Sequence, residues 1–203
     1  YLSEREEEDL RYLAEMNKPV ILILNAGGPV ELTDILEQTD NIKGILNISQ
    51  LGQEGGDALA DVLLGKEVPG GKLTTTWARR YEDYPASEEY GYLNGNLEKE
   101  KYKEGIYVGY RYFDSFDKKV MFPFGFGLSY TTFEMKCCSI NMEESKIRAE
   151  VQVTNTGNEY AGKEVVQIYV TLPQTELEKE YKRLAGFAKT RLLKPGETQT
   201  LTV

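Results

Sequence analysis

The run "VILILN" at residues 20–25 constrains this chain more than any other stretch. It is apolar without alternation, and a strand of that kind is expected to be covered on both faces, as in a parallel sheet flanked by helices. A second run, "IKGILNIS" at 42–49, has the same character. Around them the spacing turns helical. "YLSEREEEDLRYLAEMNKP" opens the chain with Ser3 and Glu6 in capping-box positions and acidic residues in the first turn. Leu10, Leu13 and Ala14 share a face of this helix, and Pro19 ends it. "LTDILEQT" reads as a short helix. "EGGDALADVLLG" reads as a longer one, with Ala58, Val62 and Leu63 inward and Gly65 as its C-cap. "KLTTTWA" then reads as a third strand. This order, α-β-α-β-α-β over residues 1–79, predicts a mostly parallel sheet with flanking helices.

From residue 128 the grammar is all-β. "LSYTTFEMKCCSINM", "KIRAEVQVTNTG", "KEVVQIYVTLP", "KRLAGFAKTRLLKPG" and "ETQTLTV" are short alternating strands, punctuated by turns at Asn155–Gly157 and Pro195–Gly196. Residues 128–203 therefore predict a β-sandwich, and the pattern at Val203 still expects a strand or two. The Tyr- and Gly-rich segment 80–127 joins the two grammars and is too long for an ordinary connection. Within it "IYVGYRYF" reads first as a strand with aromatic packing. The tyrosines of 102–113 suit either packing at an interface or stacking on a sugar ring.

Composition excludes several classes. A net charge of −9 and a pI of about 4.8 repel nucleic-acid phosphates, so no nucleic-acid partner is expected. No stretch approaches the ~20 apolar residues of a membrane helix, so no membrane partner is expected. The absence of histidine removes Ser-His and Cys-His nucleophile pairs and His-ligated metal sites from this chain. No cofactor and no metal are expected. The two cysteines, Cys137 and Cys138, are neighbours that point to opposite faces of a strand, which makes a bridge between them awkward. Without a disulfide framework a reducing, cytoplasmic compartment is favoured. The start at "YLSE", without Met, reads as a fragment or a processed chain.

Chemistry concentrates on "LGQEGGDALADVLLGKEVPGGKL", residues 51–73. A Gly-rich turn into a helix can hold an anion. This one lacks both the G-x-G-x-x-G and the G-x-x-x-x-G-K-[ST] patterns, and Glu54 opposes a phosphate. Glu54 could instead be a catalytic carboxylate, but glycoside hydrolysis needs a carboxylate pair and the sequence shows no partner. The third reading is a tight turn with a favourable acidic charge at the helix start, which also accounts for Asp57. The sequon "NIS" at 47–49 ends a strand expected to be buried and is discounted.

Five stretches together, "NKPVILILNAGGPVEL" (17–32), "GQEGGDALADVLLGKEVPGGKLTTTW" (52–77), "EGIYVGYRYFD" (104–114), "FPFGFGLSYTTF" (122–133) and "VTNTGNEYAGKEVVQIYV" (153–170), resemble the C-terminal half of a family 3 glycoside hydrolase in order and spacing. The family comprises β-glucosidases and β-xylosidases. The resemblance implies an enzyme of three domains. A (β/α)8 barrel carries a nucleophilic Asp, a second α/β-sandwich domain carries the acid/base Glu, and a fibronectin type III-like domain follows. It implies residues 1–79 as the C-terminal part of the α/β-sandwich domain, 80–127 as the connection and 128–203 as most of the fibronectin type III-like sandwich.

No segment here resembles the barrel or its "SDW" nucleophile motif, and Trp77 follows a different pattern. The family's acid/base loop falls before Tyr1, so the resemblance implies that both catalytic residues lie outside this chain. It further implies retaining double displacement, a β-glucoside or oligosaccharide substrate, and the missing barrel as intramolecular partner, with homo-oligomers possible. Gln53 and Glu54 follow the strand 42–49, and ligands in open α/β sheets bind beyond the carboxyl ends of strands. They are the candidate substrate-binding residues, on the rim facing the barrel and aglycone. A β-xylosidase of the same family, a stand-alone carbohydrate-binding or interaction module, and a nucleotide-binding α/β protein are the competing readings.

Overall fold

Ser3 fixes where the first helix starts. Its Oγ accepts the Glu6 N–H at 3.3 Å, and its own N–H donates to the Glu6 carboxylate at 2.8 Å. Two groups that helix geometry leaves unpaired are thus satisfied reciprocally. The Ser3 N–H on the carboxylate also holds Glu6 below the usual carboxylate range. The computed structural model describes all residues except 1, 17, 93, 94, 97, 100, 145 and 174. In it α1 runs Glu4–Glu15 and buries Leu10, whereas Leu13 is exposed. Asn41 donates its side-chain amide to the carbonyls of Ala14 (2.8 Å) and Met16 (3.2 Å), closing the end of the helix before Pro19.

Strand β1 (Val20–Leu24) pairs in parallel with β2 (Ile42–Asn47), Leu22 opposite Ile45 and Leu24 opposite Asn47. The parallel pairing agrees with the two continuous apolar runs. Coverage does not: Leu24 is buried, while Ile21 is 55% and Ile23 37% exposed. Successive side chains alternate across a strand, and the residues described here cover the Leu24 side alone. Helix α2 (Thr33–Gln38) buries Thr33 and Ile35.

Two further expectations change. The stretch 72–78 forms a strand only at its end, where β3 (Trp77–Ala78) pairs antiparallel with β4 (Val120–Phe122). Leu73 is bonded elsewhere, donating to the Phe126 carbonyl and accepting from Gly125 N–H, both at 2.8 Å. "IYVGYRYF" is not a strand. Gly109, at φ +59° and ψ −132°, breaks the extended path, and α4 (Tyr110–Ser115) follows. Helical spacing brings Tyr112 and Phe116 together at 5.2 Å between ring centres and buries Phe113 edge-on against Tyr84 at 5.7 Å. Tyr84 accepts the Ala78 N–H and donates to the Thr76 carbonyl, each at 3.1 Å, and burial lifts its phenol above the ordinary value.

Contacts divide the chain into two compact units, residues 1–56 with 75–123, and residues 57–74 with 124–203. The first is built on Leu10, Leu24, Leu32, Ile35, Trp77 and Phe113. Helix α3 (Gly55–Leu63) begins at the end of that first segment. It ends as expected at Gly65, φ +73°, where Gly65 N–H reaches the Val62 carbonyl and Lys66 N–H the Asp61 carbonyl. These are the two bonds of a Schellman cap. Its inward face is not as expected: no residue of α3 is buried, Ala58 and Leu63 are exposed, and Val62 is half-buried.

The second unit is the antiparallel sandwich. One sheet has the order β5 (Phe133–Glu143), β6 (Lys146–Asn155), β9 (Thr198–Thr202), and the other pairs β7 (Val165–Val170) with β8 (Arg183–Lys189). Val151, Val153, Val166, Leu193 and Leu201 form its core. A bulge between Cys137 and Ser139 absorbs a slip in the sequence pattern. Phe133, Met135 and Cys137 lie opposite Asn155, Val153 and Val151, and beyond the bulge Ile140 and Met142 lie opposite Ala149 and Ile147. A strict two-residue alternation would have sent the latter pair to the other face. Cys137 and Cys138 are free thiols on this bulge.

Candidate functional site

Parallel strands end on the same edge of a sheet, so the loops after β1 and β2 meet. The Ile48 N–H extends the ladder to the Leu24 carbonyl at 3.0 Å. Ser49 then turns through φ +50°, a left-handed conformation uncommon for a residue with a side chain. Gln50 folds its amide over Gly27, where a Cβ would lie 3.6 Å from Gln50 Nε2. The turn closes with Gly55 N–H on the Gly52 carbonyl at 3.0 Å. Gly55 is required there, because a Cβ would sit 2.4 Å from the Leu51 Cβ.

Gln53 and Glu54 are the two central residues of that turn. Both are exposed, and neither side chain forms a hydrogen bond or ion pair among the described residues. The loops thus bring Gln50, Gln53 and Glu54 to the edge where Asn25 also lies exposed after β1. Glu31, on the loop after β1, is engaged otherwise, accepting the Tyr81 N–H at 3.0 Å. Gln50 was not singled out by sequence. Its position over Gly27 depends on the register of two strands, although a polar residue just past an apolar run is a signal that could have flagged it. The sequon residue Asn47 is exposed, contrary to the burial used to discount it.

The chemistry available on this edge is hydrogen bonding by three side-chain amides, Asn25, Gln50 and Gln53, and one carboxylate, Glu54, all solvated. No group of three or more acidic or cysteine residues able to hold a metal occurs among the described residues. The edge can orient a hydroxylated molecule, and nothing described there pairs a second carboxylate with Glu54 for acid/base work.

The chain thus holds an α/β unit with hydrogen-bonding side chains at its strand ends, and an antiparallel β-sandwich unit. The chain belongs to glycoside hydrolase family 3: residues 1–110 match the Glycosyl hydrolase family 3 C-terminal domain and residues 164–203 the fibronectin type III-like domain. It is 42% identical to beta-glucosidase A of Butyrivibrio fibrisolvens, with 100% of this chain and 26% of that protein aligned. Among solved structures, beta-glucosidase 3B of Thermotoga neapolitana, determined with glucose, superposes with a TM-score of 0.90 at 41% identity, covering 100% of this chain and 28% of that one. A beta-glucosidase of Paenibacillus barengoltzii superposes with a TM-score of 0.92 at 39% identity, covering 22% of its own length. The chain therefore spans about a quarter of the length of these relatives. The α/β-sandwich and fibronectin type III-like fold class expected from sequence is confirmed by these matches.

Proposed function

We propose that this chain is the C-terminal part of a retaining β-glucosidase and works with a (β/α)8 barrel carried elsewhere in the same protein. The observation that carries the reading is the match from end to end to β-glucosidases at 41–42% identity. In this reading residues 1–79 supply part of the second domain, 80–127 the connection and 128–203 the sandwich. Both catalytic carboxylates lie outside the chain. The barrel's Asp attacks the anomeric carbon, and a Glu upstream of Tyr1 protonates the departing oxygen and then activates water. The exposed, unengaged side chains of Gln53 and Glu54 support a role as hydrogen-bonding groups for the aglycone on the rim.

The test compares the 203-residue chain with the whole protein that contains it, on aryl β-glucoside and aryl β-xyloside. The chain alone is expected to be inert, and the whole protein to prefer the glucoside. Hydrolysis by the chain alone would overturn the assignment of the catalytic pair. A preference for the xyloside would move the reading to β-xylosidase.

For the rim, Glu54→Gln in the whole protein is expected to change kcat by less than ~10-fold, against the ~10²–10⁴ of a general acid/base. A larger loss that azide restores would make Glu54 the acid/base itself.

A further inference from the structure

The second unit contains a cavity of about 420 Å³ that the rim on the strand ends does not use. Its volume falls in the ~300–1,000 Å³ range of small-molecule sites. Three segments form it: the turn after α3 (65–71), the loop before β7 (159–163) and the end of β8 with the residues that follow it (189–192). We propose that this cavity is a binding site for a neutral oligosaccharide.

The wall is built for close approach. At Gly70 a Cβ would lie 3.1 Å from the Lys163 carbonyl oxygen, so any other residue would crowd the loop against its neighbour. Tyr160 supplies an aromatic surface. Its ring stands edge-on to Tyr130 at 5.8 Å, and Tyr130 is itself held by donation of its hydroxyl to the Val62 carbonyl at 2.9 Å. A ring fixed in this way loses little freedom when a ligand stacks on it.

The charges decide the ligand class. Lys66, Lys163 and Lys189 line the cavity together with Glu67 and Glu159. Lys66 is paired with Asp61 at 3.1 Å, and Lys189 donates to the Gly70 carbonyl at 2.8 Å. Three cations are balanced by three carboxylates once Asp61 is counted, so a phosphate or a uronate gains no net attraction. Lys163, Glu67 and Glu159 form no hydrogen bond or ion pair through their side chains among the described residues. An unengaged ammonium donor beside two unengaged carboxylate acceptors and an aromatic face matches a sugar. Vicinal hydroxyls can bridge donor and acceptor while the ring's C–H face lies on tyrosine.

The experiment is amide-resolved NMR titration of the 203-residue chain with cellotetraose, xylotetraose and inorganic phosphate. Saturable shifts are expected at the amides of Gly65, Gly70 and Gly71 with a neutral tetraose, and none with phosphate. Tyr160→Ala is expected to weaken binding ~10-fold, the scale of one aromatic contact. Because Tyr160 also packs on Tyr130, the exposed pair Lys163→Ala with Glu159→Ala serves as a second variant that spares the packing and should weaken binding by at least ~5-fold, as two lost hydrogen bonds would. The choice of glucose oligomers rests on the β-glucosidase reading. Binding of xylotetraose alone would count against that reading and leave the site standing. Absence of shifts with both tetraoses, shifts that phosphate reproduces, or binding unchanged in both variants would overturn the site.

Discussion

Asn155→Ala is expected to destabilise the sandwich unit by about 3–5 kcal/mol, the scale of several buried polar groups left unsatisfied at once. Asn155 is 0% exposed and makes all the bonds its side chain can direct at its neighbours. Its Nδ2 donates to the carbonyls of Tyr160 at 2.9 Å and Leu193 at 2.8 Å. Its Oδ1 accepts from Thr131 Oγ1 at 2.6 Å and from the Gly157 N–H at 3.0 Å. Truncation removes the hub: Thr131 Oγ1, the Gly157 N–H and the Tyr160 carbonyl lose their bonds to it, while the Leu193 carbonyl keeps only the Gly162 N–H at 3.0 Å, and an unmet buried donor or acceptor costs far more than a solvated one. The urea midpoint should fall with its slope unchanged, and amides of β6 and β9 should exchange faster. Thr156→Ala, one residue on, breaks only the exposed hydroxyl pair with Thr132 and should stay within ~0.5 kcal/mol. Equal losses for the two variants would show that the buried network contributes nothing special.

That residue also marks where sequence reading stops. "VTNTGN" reads as a turn because Asn and Gly favour turns locally, and the Gly157 N–H on Asn155 Oδ1 is indeed such a local bond. The partners at 131 and 193 come from distant segments, and no local pattern announces them. The same division holds elsewhere. The Ser3–Glu6 box, the parallel pairing of β1 with β2, the Schellman cap at Gly65 and the five sandwich strands follow from short-range rules, and all are present. Residues 104–116 carry both periods, with alternation in "IYVGYRYF" and helical spacing among Tyr112, Phe113 and Phe116. Burial of Phe113 decides for the helix, and burial is a tertiary fact. The position of Gln53 and Glu54 at the strand ends is legible because a turn after a parallel strand has a fixed place in such folds. Gln50 depended on register, and the cavity beside Tyr160 depended on three segments meeting.

The glycine of "FGL" at 126–128 (motif "FPFGFGLSYTTF") bears the second large effect. Gly127→Ala is expected to destabilise the sandwich unit by about 2–4 kcal/mol, through overpacking that also disrupts hydrogen bonds. A Cβ at 127 would sit 2.2 Å from the Gly71 carbonyl oxygen and 3.3 Å from its carbon. Both atoms are backbone, so no rotamer relieves the clash. Separation of the two segments would break the short ladder in which Leu73 donates to Phe126 and accepts from Gly125, each at 2.8 Å. It would also draw the Gly127 carbonyl from Lys72 Nζ, now 2.7 Å away. Lys72 is paired with Glu164 at 2.8 Å with side chains only 17% and 12% exposed, so losing one of its acceptors weighs more than it would at the surface. The control sits on the other side of the same contact. At Gly71 nothing lies within 4 Å of an added Cβ and φ is not positive, so Gly71→Ala should be neutral or should stabilise by up to ~1 kcal/mol by restricting the unfolded chain. Thermal and urea unfolding of the two variants side by side read the difference. If Gly127→Ala matches Gly71→Ala, the two backbones are not held at the distance described, and the ladder joining 71–73 to 125–127 is not what fixes the start of the sandwich.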